Sequence, residues 1–291
     1  ISFRTAYLKA YYPTEFMAAM LNSFLGNLDK VPGYIEECKR LSIQILKPDI
    51  NKSYTRFTVD KNQIRFGLGS IKNVGTAAVD EIVEERTKHG EFKDFSDFCE
   101  RIKETTVNKK CIESLIKAGA FDELGQTRKT FMASYENIID TISNDKKGFD
   151  GQVSMFDLGG ETQKEEIKYN YIIEPEYDEK EKLSMEKEML GIYISGHPLE
   201  KMRAQIEAKT TINSLKLREL SEPSEIEEDE KVTEYQDGQN VIYAGMVTSV
   251  KKKYTKNNTI MAFVTIEDLY GTTEFIVFDS CYRQCSDILV N

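Results

Sequence analysis

The 291 residues carry 39 basic and 49 acidic side chains, a formal net charge of -10, and 40% of them are hydrophobic. That mix excludes wholesale disorder, and the acidic excess excludes nucleic-acid binding by bulk electrostatics, so any such contact has to be local. No run approaches the roughly 18 apolar residues of a membrane helix and residues 1–30 lack a basic-then-apolar signal, which predicts a cytoplasmic chain of about two domains at roughly 100 to 200 residues each.

The chain opens on Ile1-Ser2-Phe3 rather than on methionine, so the expectation is a start inside a larger protein. Phe16, Met17, Met20, Leu21 and Phe24 recur at helical spacing. Pro32-Gly33 breaks that run, and Tyr34, Ile35, Cys38 and Leu41 mark a second short helix before an extended Ile43–Leu46. Phe57–Val59 and Ile64–Phe66, joined across Asp60–Gln63, read as a hairpin. From Gly67 to Leu124 the pattern is short helices broken by glycine, with Val79, Ile82 and Val83 on one, Phe95, Phe98 and Ile102 on the next, and Ile112, Leu115 and Ile116 on a third. A further helix carries Phe131, Tyr135, Ile138, Ile139 and Ile142 and is expected to end near Ser143-Asn144-Asp145, ahead of a glycine-punctuated loop from Gly148 to Gly160. Residues 161–182 read as a polar connector, Met185, Met189 and Leu190 as one more short helix, and the acidic stretch Glu222–Asp237 as a solvated linker. Val241–Val250, Ile260–Glu267 and Thr272–Phe278 alternate as strands of an antiparallel meander, which resembles the beginning of an OB barrel that stops before closing. The fold class predicted is α+β and multidomain: a mainly helical part followed by a truncated β OB-fold.

Three constellations point to function. Lys72-Asn73-Val74-Gly75 ahead of a helix supplies a tight turn and unpaired backbone N–H groups, which with the helix dipole bind phosphate without reading sequence. Gly75 would allow close backbone approach, and Ala77 and Ala78 close helix packing. A second version is expected at Lys117-Ala118-Gly119, behind Lys109 and Lys110; the competing reading of either copy is an ordinary joint between helices. Gln152-Val153-Ser154-Met155-Phe156 places two large apolar side chains in a loop, as in a docking peptide whose Met and Phe would each contribute about 1.5 to 3 kcal/mol when buried by a partner; the alternative is that they fold back on their own domain. Lys251, Lys252, Lys253 and Tyr254 cluster on one expected turn of the strand set, where single-strand binding would stack bases on aromatics such as Tyr243, Phe263, Phe275 and Phe278, although most of these are also candidates for core. The five cysteines show no metal-ligand spacing and read as reduced structural thiols. A paired-carboxylate two-metal site, a phosphate loop and a nucleophile elbow are all missing from the sequence.

These residues resemble the bacterial DNA polymerase III alpha subunit, a replicative DNA-directed DNA polymerase of the C family. Tyr7–Leu21 is similar to the end of its fingers, Phe66–Gly75 with Val107–Lys110 and Leu115–Asp122 to its tandem helix-hairpin-helix, Gln152–Phe156 to its sliding-clamp motif with Met155 where Leu is commonest, Glu188–Leu199 to another of its stretches, and Ala244–Phe278 to its OB domain. The resemblance implies segments at 1–54 (end of fingers), 55–145 (hairpin and tandem helix-hairpin-helix), 146–182 (loop and connector with the clamp motif), 183–237 (helical connector and acidic linker) and 238–291 (partial OB-fold). It implies duplex DNA held by Lys72, Asn73, Gly75, Lys117 and Gly119, the sliding clamp docked by Gln152 to Phe156, and single-stranded template and other replisome subunits as further partners. The family's catalytic aspartates lie upstream, so this stretch is expected to be inactive alone and to hold no cofactor, with magnesium implied for the intact polymerase. Two alternatives stand beside it. A helix-hairpin-helix repair glycosylase would need a Gly-Pro pair and a following Asp where this chain has Thr76-Ala77-Ala78 after Gly75; a protein-binding scaffold would bind the clamp without salt-dependent affinity for duplex.

Overall fold

A computed structural model describes residues 2–24, 31–103, 105–149, 169–221, 235–254 and 259–289. The chain divides into two compact units, Ile1–Ser195 and Gly196–Asn291, with the division inside the expected connector.

In the first unit, α1 (Ser2–Tyr11) and α2 (Pro13–Ser23) break at Tyr12-Pro13, because proline fixes the first turn of a new helix and has no N–H to continue the old one. α3 (Val31–Arg40) takes Pro32 and Gly33 into its first turn, so they start this helix rather than separate it from the preceding run. β1 (Ile45–Leu46) runs parallel to β3 (Gln63–Arg65), and β2 (Thr58–Asp60) pairs antiparallel with β3, for a sheet in the order β1-β3-β2. The hairpin turn expected across Asp60–Gln63 is present, with Lys61 at φ 59°. Asn22 clasps this sheet to α2 with a two-way bond, donating to Phe57 O (2.8 Å) and accepting from Phe57 N (2.8 Å).

The helical run follows as α4 (Thr76–His89), α5 (Phe95–Arg101), α6 (Lys109–Lys117), α7 (Arg128–Phe149) and α8 (Glu179–Leu190). Local signals set most of their starts: Asp94 accepts from Asp97 N and Asn108 from Cys111 N, and Asp178 with Glu181 forms a reciprocal capping box. α7 runs through Ser143-Asn144-Asp145 to Phe149, so these polar residues do not end it. The core is one continuous cluster, in which Phe95, Phe98, Phe121 and Phe131 pack edge-to-face and tilted with ring centroids 4.9 to 5.1 Å apart in the closest pairs. Cys38, Cys99 and Cys111 are buried in it.

The second unit opens with α9 (Arg203–Lys209) and α10 (Ser214–Ser221), both inside the segment 183–237 expected as a helical connector and acidic linker. β4 (Met246–Tyr254), β5 (Ile260–Glu267) and β6 (Thr272–Val277) form an antiparallel sheet in that order, interrupted in β4 by a bulge between Val247 and Ser249, and α11 (Asp279–Cys285) covers one face. Its core is small: Ala262, Val264 and Tyr282 are buried, while Tyr243, Phe263 and Phe275 are half-buried and Phe278 is exposed, so the strand aromatics are not core as expected. Three strands leave apolar surface that a closed barrel would cover. Among the described residues no helix is long and apolar enough to cross a membrane.

Candidate nucleic-acid interface

Hairpin geometry begins with two glycines that sequence reasoning had not singled out. Gly67 and Gly69 lie against the backbone of Thr55 and Arg56, where an added Cβ would come within 2.6 Å of Arg56 C and 2.7 Å of Thr55 O. Leu68 N and Gly69 N donate to Tyr54 O and Thr55 O, so this close approach fixes the chain entering the turn. Ile71 and Val74 are buried anchors, and Val74 N donates back to Ile71 O at 3.1 Å. Lys72 and Asn73 are thereby pushed outward between them.

Asn73 holds the left-handed conformation that the turn needs, at φ 64°, which asparagine tolerates better than most residues. Its Nδ2 donates to Ser114 Oγ on α6 (3.1 Å), and the Lys72 backbone N–H donates to Met189 O at the end of α8 (3.0 Å). Gly75 caps α4 with φ -79°, an ordinary value, and no atom lies within 4 Å of where its Cβ would be. Nothing in the surrounding packing therefore calls for a glycine there. Thr76 and Ala77 are exposed in a first turn that has no acidic side chain, and its amides have no intrahelical acceptors. Ala78 is buried as expected, but Ala77 faces out and closes no helix pair.

The other expected turn is built differently. Lys117 is the last residue of α6, its ammonium 2.7 Å from Glu113 and 4.0 Å from Glu188 on α8; the hydrogen bond it donates to Glu113 holds it above the ordinary lysine range. Gly119, at φ +80°, ends α6 instead of preceding a helix, and its N–H already donates to Ile116 O. An added Cβ would lie 2.2 Å from Nη2 of Arg128. That guanidinium is 1% exposed and bonds Asp122 through Nε (2.7 Å) and Nη2 (2.8 Å), Lys117 O through Nη1 (3.2 Å) and Glu186 through Nη2 (3.1 Å). Burial pulls the Arg128 pKa down, but the bonds and charges of Asp122 and Glu186 outweigh it and the net shift is upward. The start of α7 is closed as well: Thr127 Oγ1 accepts from Thr130 N, and a carboxylate oxygen of Glu176 lies 3.4 Å from Arg128 N. Thus Lys72, Asn73 and Gly75 share one exposed turn, whereas Gly119 belongs to a buried arginine seat.

Gln152, Val153, Ser154, Met155 and Phe156 lie outside the described residues. Lys251, Lys252, Lys253 and Tyr254 are the last four residues of β4, not a turn, because pairing with β5 continues to Tyr254↔Ile260. They alternate between faces: Lys251, Phe263 and Ile276 share one row across the sheet, and Lys252, Ala262 and Val277 the next. Lys253 Nζ stands 4.9 Å over the Phe263 ring, and Lys252 Nζ 5.5 Å over Tyr282 on the α11 side.

The glycine-entered turn, the capped helix behind it and the helices bracing it lie within residues 42–131, which match the family model described as a helix-hairpin-helix motif. Over its whole length the chain is homologous to DNA polymerase III subunit alpha. It is 39% identical to that of Borreliella burgdorferi across 100% of this chain and 24% of the relative, 38% identical to that of Campylobacter jejuni (99% and 23%), and 37% identical to that of Vibrio cholerae (99% and 24%). The chain thus spans about a quarter of the length of the curated relatives it matches.

Proposed function

We propose that this chain is the template-handling part of a replicative DNA polymerase, holding duplex DNA by its phosphates without carrying the polymerase active site. The observation that carries the reading is the exposed turn Lys72-Asn73-Val74-Gly75, braced by α6 and α8 and opening onto the start of α4. A duplex phosphate there meets amides of the first turn, the positive end of the helix dipole and the Lys72 ammonium. Lys117, on the neighbouring end of α6, contributes by charge only after exchanging Glu113 for phosphate; Gly119 contributes through Arg128 rather than by contact. Such contacts fix position and carry no base readout, in keeping with a protein that must slide along any sequence.

The same reading assigns Gln152 to Phe156 to docking of the sliding clamp, places the protein in the cytoplasm beside other replisome subunits, and leaves magnesium to the intact polymerase. The three-stranded sheet is the start of an OB-fold, and the Lys251, Lys253 and Phe263 face is its surface for single-stranded template. The deciding experiment titrates the full chain with a duplex of arbitrary sequence between 50 and 200 mM salt, roughly the window in which phosphate contacts weaken steeply. Lys72→Ala should weaken binding uniformly across sequences and reduce the salt slope by about one. A slope indifferent to Lys72→Ala and to an Asn73→Ala, Lys72→Ala pair would leave a protein-binding scaffold in its place. Calorimetry with the sliding clamp, wild type against Gln152→Ala with Phe156→Ala, tests the docking assignment separately.

A further inference from the structure

Glu186 on α8 is 1% exposed and takes four donors: Arg128 Nη2 (3.1 Å), Ser195 Oγ, Ser195 N (3.0 Å) and Ile194 N (3.2 Å). Through Arg128 it is joined to Asp122 and to the carbonyl of Lys117, and through its own helix, three residues on, to Met189, whose carbonyl receives the Lys72 amide. Glu186 and Met189 lie on the same helix, one turn apart, and Gly191 ends it in a left-handed cap after which Ile194 and Ser195 return to the same carboxylate. Asp122 and the Lys117 carbonyl therefore meet Glu186 at the Arg128 guanidinium, and Lys72 is tied to the same helix, α8, at Met189.

We propose that Glu186 and Arg128 are positioning residues for duplex binding: the buried pair seats α8, and α8 holds the exposed turn at Lys72 in the shape that receives phosphate. The inference rests on the duplex-binding reading above and adds a residue pair that never touches DNA. A buried ion pair is weak evidence for net stability, since desolvation offsets much of its attraction. Its geometric consequence is direct, because the guanidinium plane fixes Asp122, Lys117 O and Glu186 at once. The Gly119 position is kept free of a side chain to make room for it.

The test uses Glu186→Gln in the full chain, which keeps an acceptor oxygen for the Ile194 and Ser195 amides and replaces the charged acceptor facing Arg128 and Ser195 Oγ by an NH2 donor. Two quantities are read under conditions where circular dichroism shows the chain folded: amide hydrogen exchange at Lys72, with Val79 in α4 as internal reference, and duplex affinity. Exchange at Lys72 should rise by about tenfold while Val79 stays protected, and duplex affinity should fall by about two- to thirtyfold, the range network substitutions transmit. Unchanged exchange at Lys72, or faster exchange with unchanged affinity, overturns the proposal. If Glu186→Gln does not fold, Ser195→Ala removes one of the four donors and reads the same two quantities with a smaller change in the same direction. The duplex-binding reading fails by a different sign, an affinity indifferent to Lys72→Ala itself.

Discussion

Replacing Gly119 by alanine should be far more damaging than replacing Gly75, although both glycines follow a lysine by two or three residues near a helix end. At Gly119 the methyl group would sit 2.2 Å from Arg128 Nη2 on a backbone held at φ +80°. The left-handed conformation costs a non-glycine residue about 1–2 kcal/mol, and driving Arg128 off Asp122 and Glu186 would add about 3–5 kcal/mol, the cost of breaking a buried pair. Together these reach about 4–7 kcal/mol against a typical total of about 5–15 kcal/mol, and at about 2–4 °C per kcal/mol for a unit of this size the Tm falls by roughly 10–25 °C. Gly75 has φ -79° and open space around its Cβ position. Alanine there should leave stability within about 1 kcal/mol of wild type, its gain through the unfolded chain offset by its poorer capping of α4. Scanning calorimetry or urea unfolding of the two variants reads the contrast. A Gly119→Ala protein melting within about 3 °C of wild type would refute the packing argument and return Gly119 to the list of surface contacts.

Asn73→Gly keeps the left-handed turn and loses only the bond to Ser114, so it should cost about 1 kcal/mol, whereas Asn73→Ala adds a further 1–2 kcal/mol or so of backbone strain; urea midpoints of the two rank them. Burial pushes the Cys38 thiol up to about 12 and the Cys111 thiol up to about 11, from 9.0, while Cys281 is exposed, so timed alkylation followed by peptide mass mapping should label Cys281 first. Burial, with the Glu136 bond, also raises the Tyr135 hydroxyl from 10.0 to about 12. All three folded values lie above their unfolded ones, so the stability they contribute is complete below pH 9 and is lost as pH climbs towards 11 and 12; denaturant midpoints that stay level from pH 8.5 to 11 would contradict this. Lys251→Ala with Lys253→Ala should weaken single-strand binding while Lys252→Ala, on the α11 face, leaves it nearly unchanged, by fluorescence anisotropy of a labelled oligonucleotide.

Much of the local structure was legible because it depends on neighbours in sequence. β5 fell on its expected residues, and Lys72-Asn73-Gly75 reads as a turn ahead of a helix because the turn's needs are met within five residues. Gly119 was misplaced for the opposite reason. The sequence around it has the same lysine-small-glycine texture, but what decides its role is Arg128, nine residues on, and Glu186, fifty-eight beyond that arginine. Short-range pattern carries no trace of such a pair. Other misses were readable in principle: Asp178-x-x-Glu181 is a capping box that starts α8 six residues before its first methionine, and Asn213 accepts from Lys216 N at the start of α10. The lysines of β4 were assigned to a turn because four exposed polar residues in a row look like one; the edge of a three-stranded sheet tolerates them equally well.

The bulge between Val247 and Ser249 breaks the count along the strand ahead of those lysines. In a strand every side chain has a parity, odd or even, and one additional residue changes the parity of everything beyond it. With Thr248 present, Lys251 and Lys253 share a side with Phe263, and Lys252 lies over the ring that covers the core. Without it, the pairs on either side of the bulge would close into one regular ladder, with Lys251 still opposite Phe263 and Lys252 still opposite Ala262. The one extra threonine thereby lets Val247 and Lys251, four positions apart, face opposite sides of the sheet, which unbroken alternation forbids.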